Sequence, residues 1–412
     1  MIIPEHFLYV LYIVLSTTVS VCSSVYIFSI FYFGRKKERD NHSKNTGNIT
    51  ILIPVYNEDV GLFNRCISSV KKQSTPFIVI GNGCNLPYRK IAEGNGGRFI
   101  YLRNNAGKKG ALAEGIKRVN SEYVMLLDSD TVIPKNAARR LIQKFDTDTG
   151  GVGAEIKIIK DSNKFVYYPS EMLQRLRQLS FKAMSHFGRV LVLNGQCAVY
   201  RTGLIRDFIL SREFLEPRFL GKKMVIGDDI LLTKHINGRG YRTILAQDVI
   251  ARTKGQGSFK KLVKQSIRWS RSGYINFIKG IRDWSLFKNG FFYSFSMVYV
   301  YTLPVLTLFL MVLRGGLLFN IIVRRGILNG GRLFILSFTH IPRILNSVIF
   351  PYAGIKIISI LSVITMIYLI IEKTEKNRVR FLSYGSVILL VMFLTAIYAV
   401  MSLNNHDKWL TR

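Results

Sequence analysis

Long apolar runs near both ends of the chain constrain its fold more than any other feature. The first, over 8–33, contains no charged residue and exceeds the roughly 20 apolar residues that a helix needs to cross a bilayer. Later runs over 291–313, 348–371 and 381–403 are also long enough to span. We therefore predict a membrane protein with one large soluble domain between the first run and the later ones.

The basic residues that follow the first run predict its orientation. Four lysines and arginines lie within 35–39, and such residues favour the cytoplasmic side of a membrane. We expect an integral plasma-membrane protein with its N-terminus outside and its soluble domain in the cytosol. The number of C-terminal crossings stays open, because the shorter apolar segments 315–323 and 333–341 predict a broken crossing, a re-entrant pair or interfacial helices.

The chain is strongly basic, with 58 Lys and Arg against 25 Asp and Glu and a formal charge of +33. A hydrophobic share of 49% excludes a disordered polycation, which lacks the apolar residues for a core. Because the basic residues are spread through loops and membrane flanks without a reading motif, we predict membrane lipids, and no nucleic acid, as partners. The near absence of charge inside the spans disfavours a transporter. Four scattered cysteines fit a reduced cytosolic domain: Cys22, Cys66, Cys84 and Cys197.

Between 49 and about 250, short apolar runs alternate with helical stretches. Strands are predicted over 49–55, 77–80, 98–102 and 123–127. This alternation is typical of a sheet covered by helices, so the fold class is α/β with a mixed, mainly parallel sheet.

Paired aspartates follow the last of these strands, as Asp128-Ser129-Asp130. Ligands of open α/β sheets bind beyond the carboxyl ends of the strands. Two carboxylates one residue apart can share a hard divalent cation that also binds phosphate oxygens. A solvated turn explains such a pair equally well.

Two other short segments have both a structural and a functional interpretation. Gly107-Lys108-Lys109-Gly110 predicts either a basic surface turn or a helix start that binds an anion, and its spacing is not that of a nucleotide P-loop. Gly227-Asp228-Asp229 precedes a helical stretch. In the structural interpretation its two acids stabilise the helix dipole. In the functional one, one of the two carboxylates lies in the crevice and acts as a general base.

The segment 258–279 combines an apolar stripe with lysines and arginines on the opposite face. This composition is typical of a helix that lies in a membrane interface. Gln265, Arg268 and Trp269 share one face at i, i+3 and i+4. An amide, an arginine and an aromatic ring suit a diphosphate and a sugar.

Taken in order, these motifs resemble the processive, membrane-embedded family-2 glycosyltransferases, which include hyaluronan, chitin and cellulose synthases and certain bacterial capsule synthases. The similarity runs from about residue 49 to 275. It resumes at Trp409-Leu410-Thr411-Arg412, which is similar to the close of hyaluronan synthases and of capsule synthases that alternate glucose and glucuronate. The matching motifs are Ile53-Pro54-Val55-Tyr56-Asn57-Glu58, Gly107-Lys108, Asp128-Ser129-Asp130, Gly227-Asp228-Asp229 and Gln265-x-x-Arg268-Trp269.

The resemblance implies a GT-A-like domain that holds a UDP-sugar donor and a divalent metal. Asp130, with Asp128, would ligate Mn²⁺ or Mg²⁺ on the diphosphate. The remaining matches would hold the UDP moiety: Asn57, Glu58, Asn82, Lys108, Asp128, Gln265, Arg268, Trp409 and Arg412.

The same resemblance implies an acceptor side. Asp229, paired with Asp228, would be the catalytic base that takes the proton from the acceptor hydroxyl. Trp269 would stack on the acceptor sugar beneath the mouth of a channel. The acceptor-side loop would be Asn194, Gly195, Gln196 and Cys197.

Three departures from the family pattern bear on the substrate. Gly81-Asn82-Gly83 stands where two aspartates are usual, Asn194-Gly195-Gln196 replaces Ser-Gly-Pro, and Leu410 replaces glycine. The first two, together with Lys182-Ala183-Met184-Ser185, favour the glucose and glucuronate capsule synthases over typical hyaluronan synthases.

We therefore predict a processive inverting enzyme that polymerises UDP-sugars into a β-linked, glucuronate-containing extracellular polysaccharide and moves the nascent chain through its own channel. The alternatives are a synthase of the chitin, poly-N-acetylglucosamine or cellulose type and a non-processive transferase to a lipid-phosphate carrier. The expected order is a membrane helix over 1–34, the GT-A domain over 35–253, interface helices over 254–288, channel helices over 289–403 and a terminal segment over 404–412. If residues 404–412 complete the nucleotide site, the C-terminus lies in the cytosol. This favours an additional crossing within 315–341.

Overall fold

A computed structural model describes residues 5–36, 47–161, 163–219, 221–224, 227–325, 346–372 and 377–405. These residues divide into two compact units. The first comprises the described parts of Met1–Phe31 and Ser296–Lys373, and the second those of Tyr32–Phe295 and Thr374–Arg412.

Strands occur only in the second unit among the described residues. In chain order they are β1 (Ile49–Val55), β2 (Phe77–Asn82), β3 (Arg98–Leu102), β4 (Tyr123–Leu127), β5 (Thr131–Val132), β6 (Thr149–Ile158), β7 (Cys197–Arg201), β8 (Arg218–Phe219), β9 (Lys222–Lys223) and β10 (Arg242–Thr253).

Eight of these strands form one mixed sheet in the order β3-β2-β1-β4-β7-β6-β10-β5, and β8 pairs with β9. The first four strands in this order are parallel, whereas β7 is antiparallel to both of its neighbours. Apolar side chains bury both faces of β1, including Ile51, Leu52 and Ile53 with no exposed surface. Strands covered on both faces are expected to be nearly continuous apolar runs, and in β1 Thr50 is the one polar residue.

Helices flank the sheet and continue beyond it. They are α1 (Glu5–Phe33), α2 (Val60–Lys71), α3 (Tyr88–Gly94), α4 (Gly107–Ile116), α5 (Ala137–Ile142), α6 (Lys164–His186), α7 (Thr202–Leu210), α8 (Arg212–Leu215), α9 (Asp228–Gly238), α10 (Phe259–Arg282), α11 (Ser285–Lys288), α12 (Phe291–Arg325), α13 (Asn346–Glu372), α14 (Arg378–Gly385) and α15 (Val387–Met401).

The predicted α/β class and the four predicted strands are confirmed. The structure adds β5, β6, β7 and β10 to the sheet, and β10 pairs with β6 through a register shift after Ala246. The second predicted strand extends two residues further, to Asn82.

Four helical segments are long and apolar enough to cross a membrane, on the evidence of length and composition over the described residues. They are Phe7–Phe33, Phe291–Leu317, Gly354–Glu372 and Arg378–Met401. Residues 315–323 continue α12 without a break, while 333–341 lie outside the described residues.

The last apolar helix packs within the second unit. Arg271 on α10 donates from Nε and Nη2 to Ser402 Oγ at 3.0 and 2.8 Å. On α6, Arg175 lies 4.6 Å from the ring centroid of Phe381 on α14. The sheet, the amphipathic α10 and the C-terminal helices are therefore one packed body.

Candidate active site

The loop before β7 meets the residues that follow β4. Because β7 runs antiparallel to β4, its first residue, Cys197, pairs with Leu127 at the carboxyl end of β4. Asp128 N donates to Gln196 O at 3.1 Å. The sheet thus places the predicted acceptor-side loop beside the predicted metal-binding aspartates.

Lys108 joins three motifs that are far apart in the sequence. Its Nζ lies 2.6 Å from Asp128 Oδ1, 3.1 Å from Asp228 Oδ2 and 3.5 Å from Gly195 O. Burial alone would lower the pKa of Lys108, but the charges of Asp128 and Asp228 raise it above the ordinary value. This lysine is therefore a fixed positive charge at the centre of the cluster.

A polar turn positions Lys108 at the start of α4. Asn82, at the end of β2, is buried, and its Oδ1 accepts from Ala106 N at 2.8 Å. Its Nδ2 donates to Asn105 Oδ1 at 2.7 Å, and the same oxygen accepts from Gly107 N at 2.9 Å. Asn82 thus orders the turn that carries the lysine.

Asp229 lies at the start of α9, facing the acceptor-side loop. A Cβ on Gly195 would lie 3.2 Å from Asp229 Oδ2, so a larger residue would require the carboxylate to move by a few tenths of an ångström. Burial and then Asp228 raise the pKa of Asp229, while Lys108 and Arg177 lower it. A carboxylate with a raised pKa that is still held near cations is suited to accept a proton near neutral pH.

Asp130 lies behind Asp128, toward the edge of the sheet. Its Oδ1 accepts from Thr131 Oγ1 at 3.2 Å and from Thr253 Oγ1 at 3.1 Å. Burial and the charge of Glu58 raise the pKa of Asp130, and burial raises the pKa of Asp128 to about 6. Lys108 lowers the pKa of both carboxylates, but this does not fully offset the effect of burial.

The partly uncompensated negative charge of Asp128 and Asp130 suits a bound divalent cation. Within the described ranges, no three His, Cys, Asp or Glu side chains are grouped to hold a metal on their own. Asp128 and Asp130 would need oxygens from a bound ligand to complete the coordination shell, as a hard cation on a diphosphate would provide.

Trp269 has a partner that the sequence analysis missed. The Arg177 guanidinium on α6 lies 4.2 Å from the Trp269 ring centroid, and its charge also lowers the pKa of Asp229. Nothing in the sequence distinguishes Arg177 from Arg175, which instead pairs with Glu171 at 3.0 Å. The signal exists only in the packing of α6.

The other predicted site residues are placed as follows. Gln265 and Arg268 lie on α10 beside Trp269 and are partly exposed. Asn57 is exposed and adopts a left-handed conformation, with φ of 48°. Glu58 is partly exposed, and Trp409 and Arg412 lie outside the described residues.

Two side chains of the acceptor-side loop point into the protein. Asn194 is 1% exposed, and its Nδ2 donates to Ala154 O at 2.8 Å. Cys197 is fully buried, and burial raises the pKa of its thiol to about 12. The thiol is therefore neutral, and this residue contributes to the site through its backbone.

Comparison with known proteins shows which family and which enzymes this chain is similar to. A family model described as "Glycosyltransferase like family 2" matches residues 47–272, more than half of the chain. An N-acetylglucosaminyltransferase of Azorhizobium caulinodans is 27% identical over 248 residues, which cover 56% of this chain and 60% of that protein. Human hyaluronan synthase 3 is 23% identical over 282 residues, covering 56% of this chain and 51% of that protein. The chain thus spans little more than half the length of these relatives.

A solved structure shares the fold. The mannosyltransferase of Pyrobaculum calidifontis, determined in complex with GDP-Man and Mn²⁺, aligns over 89% of this chain and 99% of that chain. The TM-score is 0.56 at 15% sequence identity.

Proposed function

Because the chain belongs to the family-2 glycosyltransferases and combines a GT-A-like α/β domain with four helices of membrane-spanning length, we propose that it transfers sugars from UDP-sugars to a growing β-linked saccharide at the membrane. The observation that carries this proposal is the convergence of Lys108, Asp128, Asp228 and Gly195 beside Asp229. It supports a donor phosphate site and a proton acceptor next to each other.

In this mechanism Asp229 takes the proton from the acceptor hydroxyl. The oxygen attacks the anomeric carbon from the side opposite UDP, and the bond to the diphosphate breaks. A single displacement of this kind inverts an α-linked donor and forms a β-glycosidic bond. Raised pKa values are typical of carboxylates that act as bases in partly buried sites.

The leaving diphosphate gains negative charge as its bond breaks. Lys108 is positioned to balance part of that charge, and Arg268 with Gln265 on α10 would hold the other side. Asp128 and Asp130 would hold Mn²⁺ or Mg²⁺, which supplies further charge neutralisation when it is bound.

Two observations, the names of the relatives and the shared motifs, support a choice of donor sugars. Relatives named N-acetylglucosaminyltransferase favour UDP-N-acetylglucosamine, and the motifs shared with hyaluronan and capsule synthases favour a second, glucuronate donor. We propose a product that contains at least one of these sugars and is moved by the same chain through its membrane helices. The matching membrane arrangement has the catalytic domain in the cytosol, the N-terminus outside and the plasma membrane as its location.

Turnover by purified protein in nanodiscs with Mn²⁺ or Mg²⁺ tests the proposal. UDP-N-acetylglucosamine, UDP-glucuronate and UDP-glucose are supplied singly and in pairs, and UDP release and product size are recorded. We expect a product of high molecular weight from UDP-N-acetylglucosamine alone, or from one pair of donors that includes UDP-N-acetylglucosamine or UDP-glucuronate. Short lipid-linked products would contradict polymerisation, and no UDP release from any donor would contradict the donor class.

Asp229→Asn tests the assignment of the base. We expect it to abolish polymer synthesis while UDP still binds, because the amide cannot take the proton. Asp207→Asn, at an exposed position on α7, is the matched control and should leave synthesis unchanged. Retained synthesis in Asp229→Asn would assign the base to another group.

A further inference from the structure

Residues 281–291, from the end of α10 to the start of α12, expose a group of large apolar side chains. Ile281, Trp284, Phe287 and Phe291 are 44%, 68%, 49% and 84% exposed. The ring centroids of Trp284 and Phe287 lie 5.4 Å apart, so these two side chains form one exposed aromatic surface. Exposed apolar groups of this kind mark interaction surfaces. We call residues 281–291 the apolar turn.

The apolar turn is held against the neighbouring helices by its own buried side chain and by an ion pair. Leu286 is 1% exposed, and a Cβ on Gly280 would lie 3.2 Å from Leu286 Cβ, so the turn packs closely against the end of α10. Asp283 Oδ2 lies 3.1 Å from Lys234 Nζ on α9. The exposed side chains are therefore held outward by packing and do not belong to a free loop.

The backbone of Trp284 indicates that its side chain has a role. Trp284 adopts a left-handed conformation with φ of 57°, which is unfavourable for a bulky residue. Its N–H donates to Ile281 O, and Phe287 N donates to Trp284 O, both at 3.2 Å, so the residue ends one helix and begins the next. Glycine or asparagine adopts this conformation at lower cost. A tryptophan that is both exposed and strained in this way indicates a binding partner for its ring.

The helix that precedes the turn is enclosed by protein over its middle. Residues 271–275 of α10 are all buried, and five consecutive residues cover every side of a helix with about 3.6 residues per turn. The sequence predicts that α10 lies in the membrane interface through its own apolar stripe. In the structure, the most exposed large apolar side chains between 254 and 295 are those of the apolar turn. The turn, rather than the middle of α10, is therefore the part that can contact lipid.

The position of the turn in the chain identifies a bilayer as its partner. Phe291 is the last residue of the turn and the first of Phe291–Leu317, a segment long and apolar enough to cross a membrane. The turn therefore directly precedes a candidate span, at the level where a span meets the lipid headgroups. Tryptophan is enriched at that level because its ring is apolar while its N–H still finds hydrogen-bond partners.

The charges beside the two rings select anionic lipid. Arg282 and Lys288 are exposed and lie on either side of the rings in the chain. Neither has a carboxylate within 4 Å among the residues that the structure describes. Asp283, the one acid between them, pairs with Lys234. Lysines and arginines near a membrane surface attract anionic phospholipids.

We propose that the apolar turn inserts into the headgroup region of a bilayer. Trp284 and Phe287 then lie among the upper acyl carbons, and Arg282 and Lys288 contact the phosphates of anionic lipids. This anchor is separate from the candidate membrane spans and does not depend on the proposed transferase function. It holds the end of α10, the helix that carries Trp269, at a defined depth in the membrane.

Fluorescence quenching of Trp284 tests the insertion. Trp269→Phe/Trp409→Phe leaves Trp284 as the single tryptophan of the chain. This protein is reconstituted into vesicles of phosphatidylcholine and phosphatidylglycerol, with and without lipids that are brominated on the upper acyl carbons. We expect brominated lipid to remove most of the emission. Iodide on both sides of the vesicle should change it little.

The control reports on a side chain that faces water. It adds Trp284→Phe and Tyr101→Trp to the same protein, because Tyr101 is 48% exposed on β3, the edge strand of the sheet. We expect the opposite result, with quenching by iodide and none by brominated lipid. If Trp269→Phe/Trp409→Phe does not fold, the difference in emission between the wild-type protein and Trp284→Phe isolates the same tryptophan.

Arg282→Gln/Lys288→Gln tests the charge of the lipid. At equal mole fractions, brominated phosphatidylglycerol should quench Trp284 more than brominated phosphatidylcholine, because the two cations attract the anionic lipid. The double variant should lose this difference. Lys71→Gln/Lys72→Gln removes two exposed charges at the end of α2 and should keep it.

Three results would overturn the proposal. Quenching by iodide but not by brominated lipid places the apolar turn in water. Quenching by neither places it against protein, such as a second copy of the chain. Equal quenching by the two brominated lipids in the unaltered turn excludes the attraction of anionic lipid by Arg282 and Lys288.

Discussion

Arg177 is the cation that lies between Trp269 and the proposed base Asp229 in their interactions. It covers one face of Trp269 and opposes the effects of burial and Asp228 on Asp229. Because Asp229, as the proposed base, must be ionised to take a proton, we expect activity to fall as the pH drops through its pKa. Removing the positive charge raises that pKa. Arg177→Gln should therefore move the acidic limb of the pH profile of kcat to higher pH.

The position of this limb does not depend on how much of the protein is folded, so it reports the charge alone. Arg177→Lys keeps the charge and should restore the limb. Arg175→Gln removes an arginine from the same helix and should leave it in place, since that residue pairs with Glu171. An unmoved limb in Arg177→Gln would assign the limb to a different group.

Gly195 determines how much space the Asp229 carboxylate has. In Gly195→Ala the added Cβ lies 3.1 Å from Asp229 Cβ and 3.2 Å from its Oδ2, so the carboxylate must shift by a few tenths of an ångström. We expect kcat to fall by roughly tenfold, less than the hundredfold that a misplacement of about 1 Å costs. Gly203→Ala is the control, because a Cβ there meets nothing within 4 Å and Gly203 lies in α7. Equal kcat values for the two variants would contradict the assigned role of Gly195.

At the scale of elements, a buried ion pair fixes α6 to the sheet. Lys182 Nζ lies 2.7 Å from Glu155 Oε2, and each side chain is 6% exposed. Lys182→Met leaves the glutamate charge buried and unpaired, which should lower the free energy of unfolding by about 3–5 kcal/mol. The double variant Glu155→Leu/Lys182→Met should recover most of it. Denaturant unfolding in detergent measures both, and a single variant as stable as the wild type would show the pair to be dispensable.

The elements differ in how well the sequence predicts them, for physical reasons. The strands β1 and β4 are predominantly apolar runs buried on both faces, and such runs can be recognised from the sequence alone. In β6 three glycines interrupt the apolar pattern. A Cβ on Gly151 would lie 2.6 Å from Leu193, so packing selects the glycine and removes the usual strand signal.

The same contrast holds for the site. Asp128 and Asp229 lie at the carboxyl end of a strand and the start of a helix, where short motifs predict chemistry. Arg177 lies mid-helix, and its relevance comes from what α6 packs against. A single sequence does not give the rotation of that helix, so this residue required the structure.

At the scale of the whole molecule, the apolar C-terminal segment belongs to the catalytic body as well as to the set of possible membrane spans. A third of its span, 33%, is buried inside the protein, against 11% and 17% for the other three. The helix that carries Trp269 is thereby held by a helix that is expected to lie in lipid. This coupling is internal to the second unit.

The hydrogen bonds from Arg271 to Ser402 extend this coupling to the lipid around the protein. Trp269 precedes Arg271 by two residues on α10, and Ser402 directly follows α15. A bilayer whose hydrocarbon thickness does not match an apolar helix makes that helix tilt. We therefore expect turnover in nanodiscs to vary with acyl-chain length at constant headgroup, and to vary less in Ser402→Ala. Constant turnover across chain lengths would contradict this. If turnover does vary with acyl-chain length, the thickness of the surrounding bilayer controls the rate of sugar transfer, and the enzyme responds to the composition of its own membrane.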